Sequence, residues 1–251
     1  MVNITAPPLS SVLSYPGYED GFTVEYKTAT DITVKAGVFE GNYKRYVLTA
    51  DAVHTMTSLA AAFGIHYVYI DDSLSSPPVA VLYDSTTFPS LDPVRRGWYN
   101  GDDVCIGKIT SAAGSATVHR FNTTVISSKL IRNEYPDYTP FNLALNMDPD
   151  GTWQSPNIAE SDAYLPVNAA EANIFVSNLH VASGMYIAWL DKESADLSSS
   201  TDHTLTGMDA YSYSRISSWG PLGVSRKIRI AGDADDANNL TAYLAGDGYS
   251  R

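Results

Sequence analysis

Short runs of β-branched and aromatic residues, separated by turn-forming residues about every eight to twelve positions, most constrain what this chain can fold into. Phe22, Val24 and Tyr26 alternate with polar residues, which is the two-residue period of a strand with one buried face. The runs IHYVYID at 65–71 and PVAVLYD at 78–84 are more continuous and are bounded by turn sequences. The pattern predicts an all-β fold built from β-sandwich, jelly-roll-like domains, with 65–71 and 78–84 as central strands.

Proline-rich segments divide the chain into four predicted parts. Residues 1–21 contain Pro7, Pro8 and Pro16 and show no hydrophobic period, which suits an extended arm that anchors on a partner surface. Between about 128 and 166, prolines recur among Asn and Asp clusters with little periodicity, which predicts a connector. The predicted parts are an anchoring arm at 1–21, a β-sandwich domain at 22–128, a Pro-rich connector at 129–166 and a C-terminal β-sandwich domain at 167–251.

Two local patterns predict smaller elements in the first domain. A short helix is predicted over 51–64, because Asp51 is a helix-capping residue type and apolar residues then recur at helical spacing as far as Gly64. The apolar positions of that pattern are Val53, Met56, Ala60 and Phe63. Strand-like runs at 102–110 and 116–121 flank the sequence AAGS, which predicts a β-hairpin.

Charge and composition exclude several classes of protein. The 251 residues include 16 Lys and Arg against 28 Asp and Glu, which gives a formal net charge of −12. This charge repels phosphate backbones, so no nucleic-acid partner is expected. No apolar segment approaches the roughly 18 residues needed to span a bilayer, so no membrane insertion is expected. Cys105 is the one cysteine, which excludes an intrachain disulfide framework.

A candidate ligand-binding loop lies within the sequence RRGWYNGDD. Its proposed binding residues are Trp98, Tyr99, Asn100 and Asp102. Aromatic rings beside an amide and a carboxylate can stack on a sugar ring and hydrogen-bond its hydroxyls. The structural alternative is that Trp98 closes the end of the sandwich, while an arginine at 95 or 96 pairs with an aspartate at 102 or 103.

A weaker pattern suggests a metal site, and no pattern suggests a catalytic one. Asn146, Asp148 and Asp150 alternate before Gly151, as in the first half of a calcium-binding loop. Asn157 stands where such a loop has its bidentate Glu, so a solvated turn is the alternative and no cofactor is assigned beyond this calcium candidate. Nucleophile elbows, phosphate-binding loops and dinucleotide fingerprints are missing, so no catalytic residue is assigned.

Residues 43–121 contain a series of short motifs in a recognisable order. After strands with the sequences YKRYVLTA and HYVYID come Thr86-Thr87-Phe88-Pro89, then Arg95-Arg96, then Ile106-Gly107-Lys108-Ile109, then a turn and Phe121. This order resembles the β-sandwich modules of bacteriophage tail-fibre and head-fibre proteins. The resemblance covers about a third of the chain. It departs from the family pattern at the inserted segment 98–104, which separates the basic pair from the Ile-Gly step.

The resemblance implies a structural virion fibre or spike protein of a tailed phage that adheres to the host surface through a glycan receptor. It implies a homo-oligomer, with a trimer favoured over a pentamer, and an arm at 1–21 that binds other virion proteins. The protein would be made in the host cytoplasm and lie on the virion surface, on the capsid or the tail. Two alternatives remain: a virion-associated polysaccharide hydrolase that uses facing carboxyl groups, and a capsid decoration protein without a receptor role.

Overall fold

The computed structural model describes residues 4–5, 19–41, 44–71, 73, 79–112, 114–127, 130–137, 142–147, 150–154, 165–178, 185–189, 204–208, 214–222, 228–233 and 240–251. Within these residues the regular elements are all strands, paired in antiparallel sheets. The all-β fold class is therefore confirmed. The chain divides into two compact units, Met1–Asn133 with Ser250–Arg251, and Glu134–Tyr249.

The first unit is built on a nine-stranded antiparallel sheet. Its strands, in spatial order, are β10 (Ser90–Asp92), β11 (Gly97–Asn100), β12 (Asp103–Ser111), β8 (Gly64–Asp71), β9 (Val79–Ser85), β1 (Ile4–Thr5), β6 (Lys44–Leu48), β5 (Gly37–Gly41) and β2 (Glu19–Asp20). A three-stranded sheet contains β3 (Val24–Tyr26), β4 (Asp31–Val34) and β7 (Ala52–Thr55). Strands β13 (Asn122–Ser127) and β14 (Leu130–Glu134) follow.

The two predicted central strands form β8 and β9, which pair with each other. Every residue from Ile65 to Ile70 is buried, so both faces of β8 are covered, as the continuous apolar run indicates. Tyr69 of β8 pairs with Tyr83 of β9, and their rings stack with centroids 5.2 Å apart. On its other edge, β8 pairs antiparallel with β12.

The helix predicted over 51–64 is wrong. Residues 52–55 form β7, which pairs antiparallel with β4, and residues 56–63 form bends and irregular backbone. Asp51 does not cap a helix but accepts a hydrogen bond from the backbone N–H of Ala36 and forms an ion pair with Lys35. Val53 is 46% exposed beside buried Ala52, which is the alternation of a strand. Strand pairing has overridden the helical period.

The predicted hairpin after β12 is present in a reduced form. The backbone N–H of Ala112 donates to the Thr117 carbonyl at 2.8 Å, and that of His119 donates to Thr110 at 2.8 Å. The returning segment makes one β-bridge, between Ser111 and Val118, instead of a full strand over 116–121.

Parts of the predicted arm and connector form strands. Within residues 1–21, β1 pairs with both β6 and β9, and β2 pairs with β5. Within 129–166 lie β14, β15 (Asn142–Met147) and β16 (Asp150–Gln154). These strands make antiparallel pairs in place of the extended chain that prolines favour.

The second unit contains two antiparallel sheets. In one, β15, β22 (Leu240–Ser250), β17 (Ala169–Asn178) and β20 (Ser214–Pro221) lie in that order. In the other, the order is β16, β21 (Ile228–Asp233), β18 (Met185–Trp189) and β19 (Thr204–Met208). Each unit therefore has the sheet composition of a β-sandwich.

Candidate functional site

The candidate loop is in fact a strand and a turn at one edge of the nine-stranded sheet. Trp98, Tyr99 and Asn100 belong to β11, which lies between β10 and β12. Successive side chains of a strand point to opposite faces, so Tyr99 faces away from Trp98 and Asn100. Tyr99 is 3% exposed, whereas Trp98 is half-buried and donates its Nε1–H to Ser250 Oγ at 3.0 Å. The structure therefore does not place the two aromatic rings side by side.

Arg95 lies in the turn of the hairpin formed by β10 and β11, and its guanidinium binds three neighbouring groups. Its Nε donates to Asp92 Oδ2 at 2.6 Å, its Nη1 to Asp102 Oδ1 at 3.1 Å and its Nη2 to the Gly101 carbonyl at 3.0 Å. The guanidinium also lies over the ring of Tyr99, 4.0 Å from the centroid. The sequence offered, as a structural alternative to sugar binding, an ion pair between an arginine at 95 or 96 and an aspartate at 102 or 103. That ion pair is present, between Arg95 and Asp102.

This arrangement changes the acidity of Asp92. The backbone N–H of Arg95 and then its guanidinium donate to the carboxylate, and together they lower the pKa of Asp92 below its ordinary value. Asp92 is consequently an anion at neutral pH. A carboxyl group of this kind does not serve as the general acid that glycoside hydrolysis requires.

An open cavity of about 360 Å³ lies beside this cluster. The residues that form it include Phe88, Leu91, Pro93, Arg95, Tyr99 and Asn100. Phe88 is 65% exposed and Leu91 58% exposed, so the two side chains present apolar area in this concavity. The volume falls within the range of small-molecule sites. We call this concavity the hairpin cavity.

Asn100 is held in place from behind the hairpin cavity. Its Nδ2 donates to Tyr83 Oη at 3.4 Å, and Tyr83 Oη donates to Asp103 Oδ2 at 2.6 Å. Burial, and then the bond to the Asp103 carboxylate, raise the pKa of Tyr83, so the phenol keeps its proton. The amide of Asn100 is therefore oriented by a chain of polar contacts, which fixes a polar group at the rim before any ligand binds.

Of the predicted binding residues, Tyr99 and Asn100 line the hairpin cavity, and the exposed Asp102 pairs with Arg95 at its end. The sequence did not identify Phe88 and Leu91 as lining residues of the hairpin cavity, because the pattern around them predicts a turn and a short polar run. A large aromatic residue inside STTFPS, where the turn needs none, is the signal that could have identified Phe88.

Gly101 makes the turn into β12 with a φ of 64° and an open space where a Cβ would stand. We expect Gly101→Ala to lower the free energy of unfolding of the first unit by about 1–2 kcal/mol, because left-handed backbone is costly for residues with a Cβ. Gly101→Asn should cost less, since Asn tolerates this conformation. Urea unfolding of the three proteins tests this; equal losses for Ala and Asn would contradict it.

A second polar cluster is buried around Asp84 of β9. Its carboxylate accepts from His54 Nε2 at 2.8 Å and from the backbone N–H groups of Thr57 and Ser58 at 2.9 and 2.7 Å. The hydroxyls of Thr57 and Ser58 also donate to it. Burial alone would raise the pKa of Asp84, but the hydrogen bonds from His54, Ser58 and Thr57 outweigh it and hold the pKa well below its ordinary value.

The same cluster fixes the tautomer of His66. Since Asp84 is ionised, Ser58 Oγ–H donates to it, and His66 Nδ1, 2.7 Å from Ser58 Oγ, must then be the protonated ring nitrogen. Nε2 of His66 is left without a proton and has no hydrogen-bond partner among the described residues. Burial lowers the pKa of His66, against the opposing charge of Asp84.

The Asp84 cluster is structural rather than catalytic in form. A catalytic serine gives its proton to a histidine, whereas Ser58 gives its proton to the carboxylate. The cluster instead ties residues 57 and 58 to β9 and so shapes the segment that was predicted to be a helix.

The calcium candidate is only partly covered by the structure. Asn146 lies in β15 and Asp150 in β16, while Asp148 is outside the described residues. Among the residues that are described, no group of three or more His, Cys, Asp or Glu side chains could hold a metal ion.

No protein-family model, curated protein or solved structure matches this chain. In the described part of the chain, no helix has the length and apolar character needed to cross a bilayer.

Proposed function

We propose that this protein is a structural fibre or spike protein of a tailed bacteriophage, which binds a glycan on the host surface through the hairpin cavity. The observation that carries the binding role is the hairpin cavity itself, which is lined both by Phe88, 65% exposed, and by Asn100 with its fixed amide. An apolar face next to oriented polar groups is the arrangement that holds a sugar ring by its C–H groups and its hydroxyls.

The fibre assignment is supported by the order of motifs in residues 43–121 and by the all-β fold. On this proposal the protein is a homo-oligomer, with a trimer favoured, and lies on the virion surface with residues 1–21 next to other virion proteins. Each hairpin cavity makes a weak contact, and the number of copies multiplies the strength of attachment.

We expect Phe88→Ala to weaken attachment of the purified protein to host cells by at least about tenfold. Loss of one aromatic contact costs about 0.5–1.5 kcal/mol per site, and the loss is multiplied when several sites bind together. Fluorescently labelled protein and bacterial cells provide the measurement, with binding counted by flow cytometry.

Val94→Ala is the matched control, because Val94 is 74% exposed on the same hairpin and is not a lining residue of the hairpin cavity. The solution mass from light scattering shows whether both variants assemble as the parent does. Full attachment by correctly assembled Phe88→Ala protein would contradict the proposed site. A stable monomer for the parent would contradict the fibre assignment.

A further inference from the structure

We infer that the hairpin cavity takes an uncharged sugar unit and rejects acidic sugars such as sialic and uronic acids. The inference rests on the glycan-binding role proposed above and names the class of glycan. It follows from the charges and contacts of the residues around Arg95.

Arg95, the basic residue that lines the hairpin cavity, is already engaged. Acidic sugars are usually held by a guanidinium whose two parallel N–H groups face the carboxylate of the sugar. In this protein the Nε and Nη1 of Arg95 bind Asp92 and Asp102, and Nη2 binds the carbonyl of Gly101. The flat face is occupied too, since it lies over Tyr99. An acidic sugar would have to displace a carboxylate that the protein itself supplies.

The local charge opposes an anion as well. Two carboxylates, Asp92 and Asp102, surround one guanidinium, so the cluster has a formal charge of −1. The whole chain adds to this with a net charge of −12. Like charges repel at the short distances of a binding site, where screening by salt is weakest.

The remaining surface fits a neutral sugar. Phe88 and Leu91 present apolar area on which the C–H face of a pyranose ring can pack. Sugar hydroxyls can donate to carboxylates, and Asp102 has a side chain that is 87% exposed. Asn100, oriented by Tyr83, offers both a donor and an acceptor to the same ring.

The test is a panel of paired oligosaccharides with the assembled protein, measured by calorimetry and ligand-observed NMR. The neutral half contains lactose and short oligomers of glucose, galactose, mannose and N-acetylglucosamine; the acidic half contains sialyllactose and oligomers of glucuronic and galacturonic acid. We expect binding in the neutral half only, with an affinity that hardly changes between about 50 and 500 mM salt. Phe88→Ala should weaken that binding by about five- to tenfold, and Val94→Ala should leave it unchanged.

The other results have distinct meanings. Binding confined to acidic sugars overturns this inference and leaves the adhesive function standing. Neutral binding that Phe88→Ala does not change places the site elsewhere and also overturns it. If neither half binds at millimolar concentration, the glycan-binding role and this inference fall together.

Discussion

Replacing Asp84 by Asn should lower the free energy of unfolding of the first unit by about 3–5 kcal/mol, the cost of removing one charged partner from a buried network. The side chain of Asp84 is fully buried and accepts hydrogen bonds from His54, Thr57 and Ser58. An amide of the same shape turns one acceptor oxygen into a donor, which then faces other donors. Because whole domains are stable by only about 5–15 kcal/mol, this one substitution brings the unit close to unfolding.

Urea unfolding followed by circular dichroism measures the change, and hydrogen exchange locates it at β8 and β9. Asp31→Asn is the matched control: Asp31 also accepts from two hydroxyls, those of Thr28 and Thr55, but it is only half-buried. Water can replace those partners, so we expect a far smaller effect. Equal losses in the two variants would contradict a special role for the buried carboxylate.

The Asp84 cluster also explains which part of the fold the sequence could not predict. The apolar spacing in 51–64 is a real helical pattern, but the groups that decide the conformation of residues 57 and 58 lie on β9, 26 to 27 positions further along the chain. Local periodicity contains no information on such a contact. Strands with an uninterrupted apolar run, such as β8, were predicted correctly because burial on both faces leaves its mark within the segment itself.

The candidate site, too, could be predicted from the sequence only in part. The pairing of Arg95 with Asp102 was foreseen as an alternative, because opposite charges lie seven positions apart in the sequence, on either side of β11. A structural role for Trp98 was also an alternative, but its bond to Ser250 and its orientation away from Tyr99 were not foreseen, because treating 98–102 as a loop ignored the alternation that a strand imposes. Phe88 reaches the hairpin cavity through the pairing of β10 with β11, and its ring packs edge-on against Tyr67 of β8. Tertiary pairing of that kind is not visible in the sequence.

The first unit should also lose stability as the pH falls below about 6.5, and His66 is the main cause. Burial holds the pKa of His66 below its ordinary value of 6.5, so the unfolded chain takes up a proton at a pH where the folded chain does not. The stabilisation is fully present above pH 6.5 and declines as the pH falls towards the folded pKa. Each pKa unit between the two states contributes about 1.4 kcal/mol.

Asp84 adds a second decline at lower pH. Its folded pKa is held well below 3.8, so its contribution is present at neutral pH and is lost as the pH falls through and below about 4. The Asp84 charge, which lies on the Nδ1 side of His66, favours the imidazolium and limits the first decline without reversing it. Two separate steps in a plot of stability against pH are therefore expected.

Two variants show which group causes each step in the plot of stability against pH. Asn in place of His66 keeps an N–H that can reach Ser58 Oγ but does not titrate, so His66→Asn should remove the decline that begins near pH 6.5 and keep the lower one. Asp84→Asn should reduce the lower decline, and the remainder comes from Asp31, Asp51 and Asp92, whose pKa values are also lowered by hydrogen bonds. The free energy of unfolding from urea titrations at half-unit intervals between about pH 2 and 8 gives the curves. If the free energy of unfolding of His66→Asn still falls with the parent's slope between pH 6.5 and 5, the first decline does not come from the imidazole of His66. Another group would then cause the acid sensitivity.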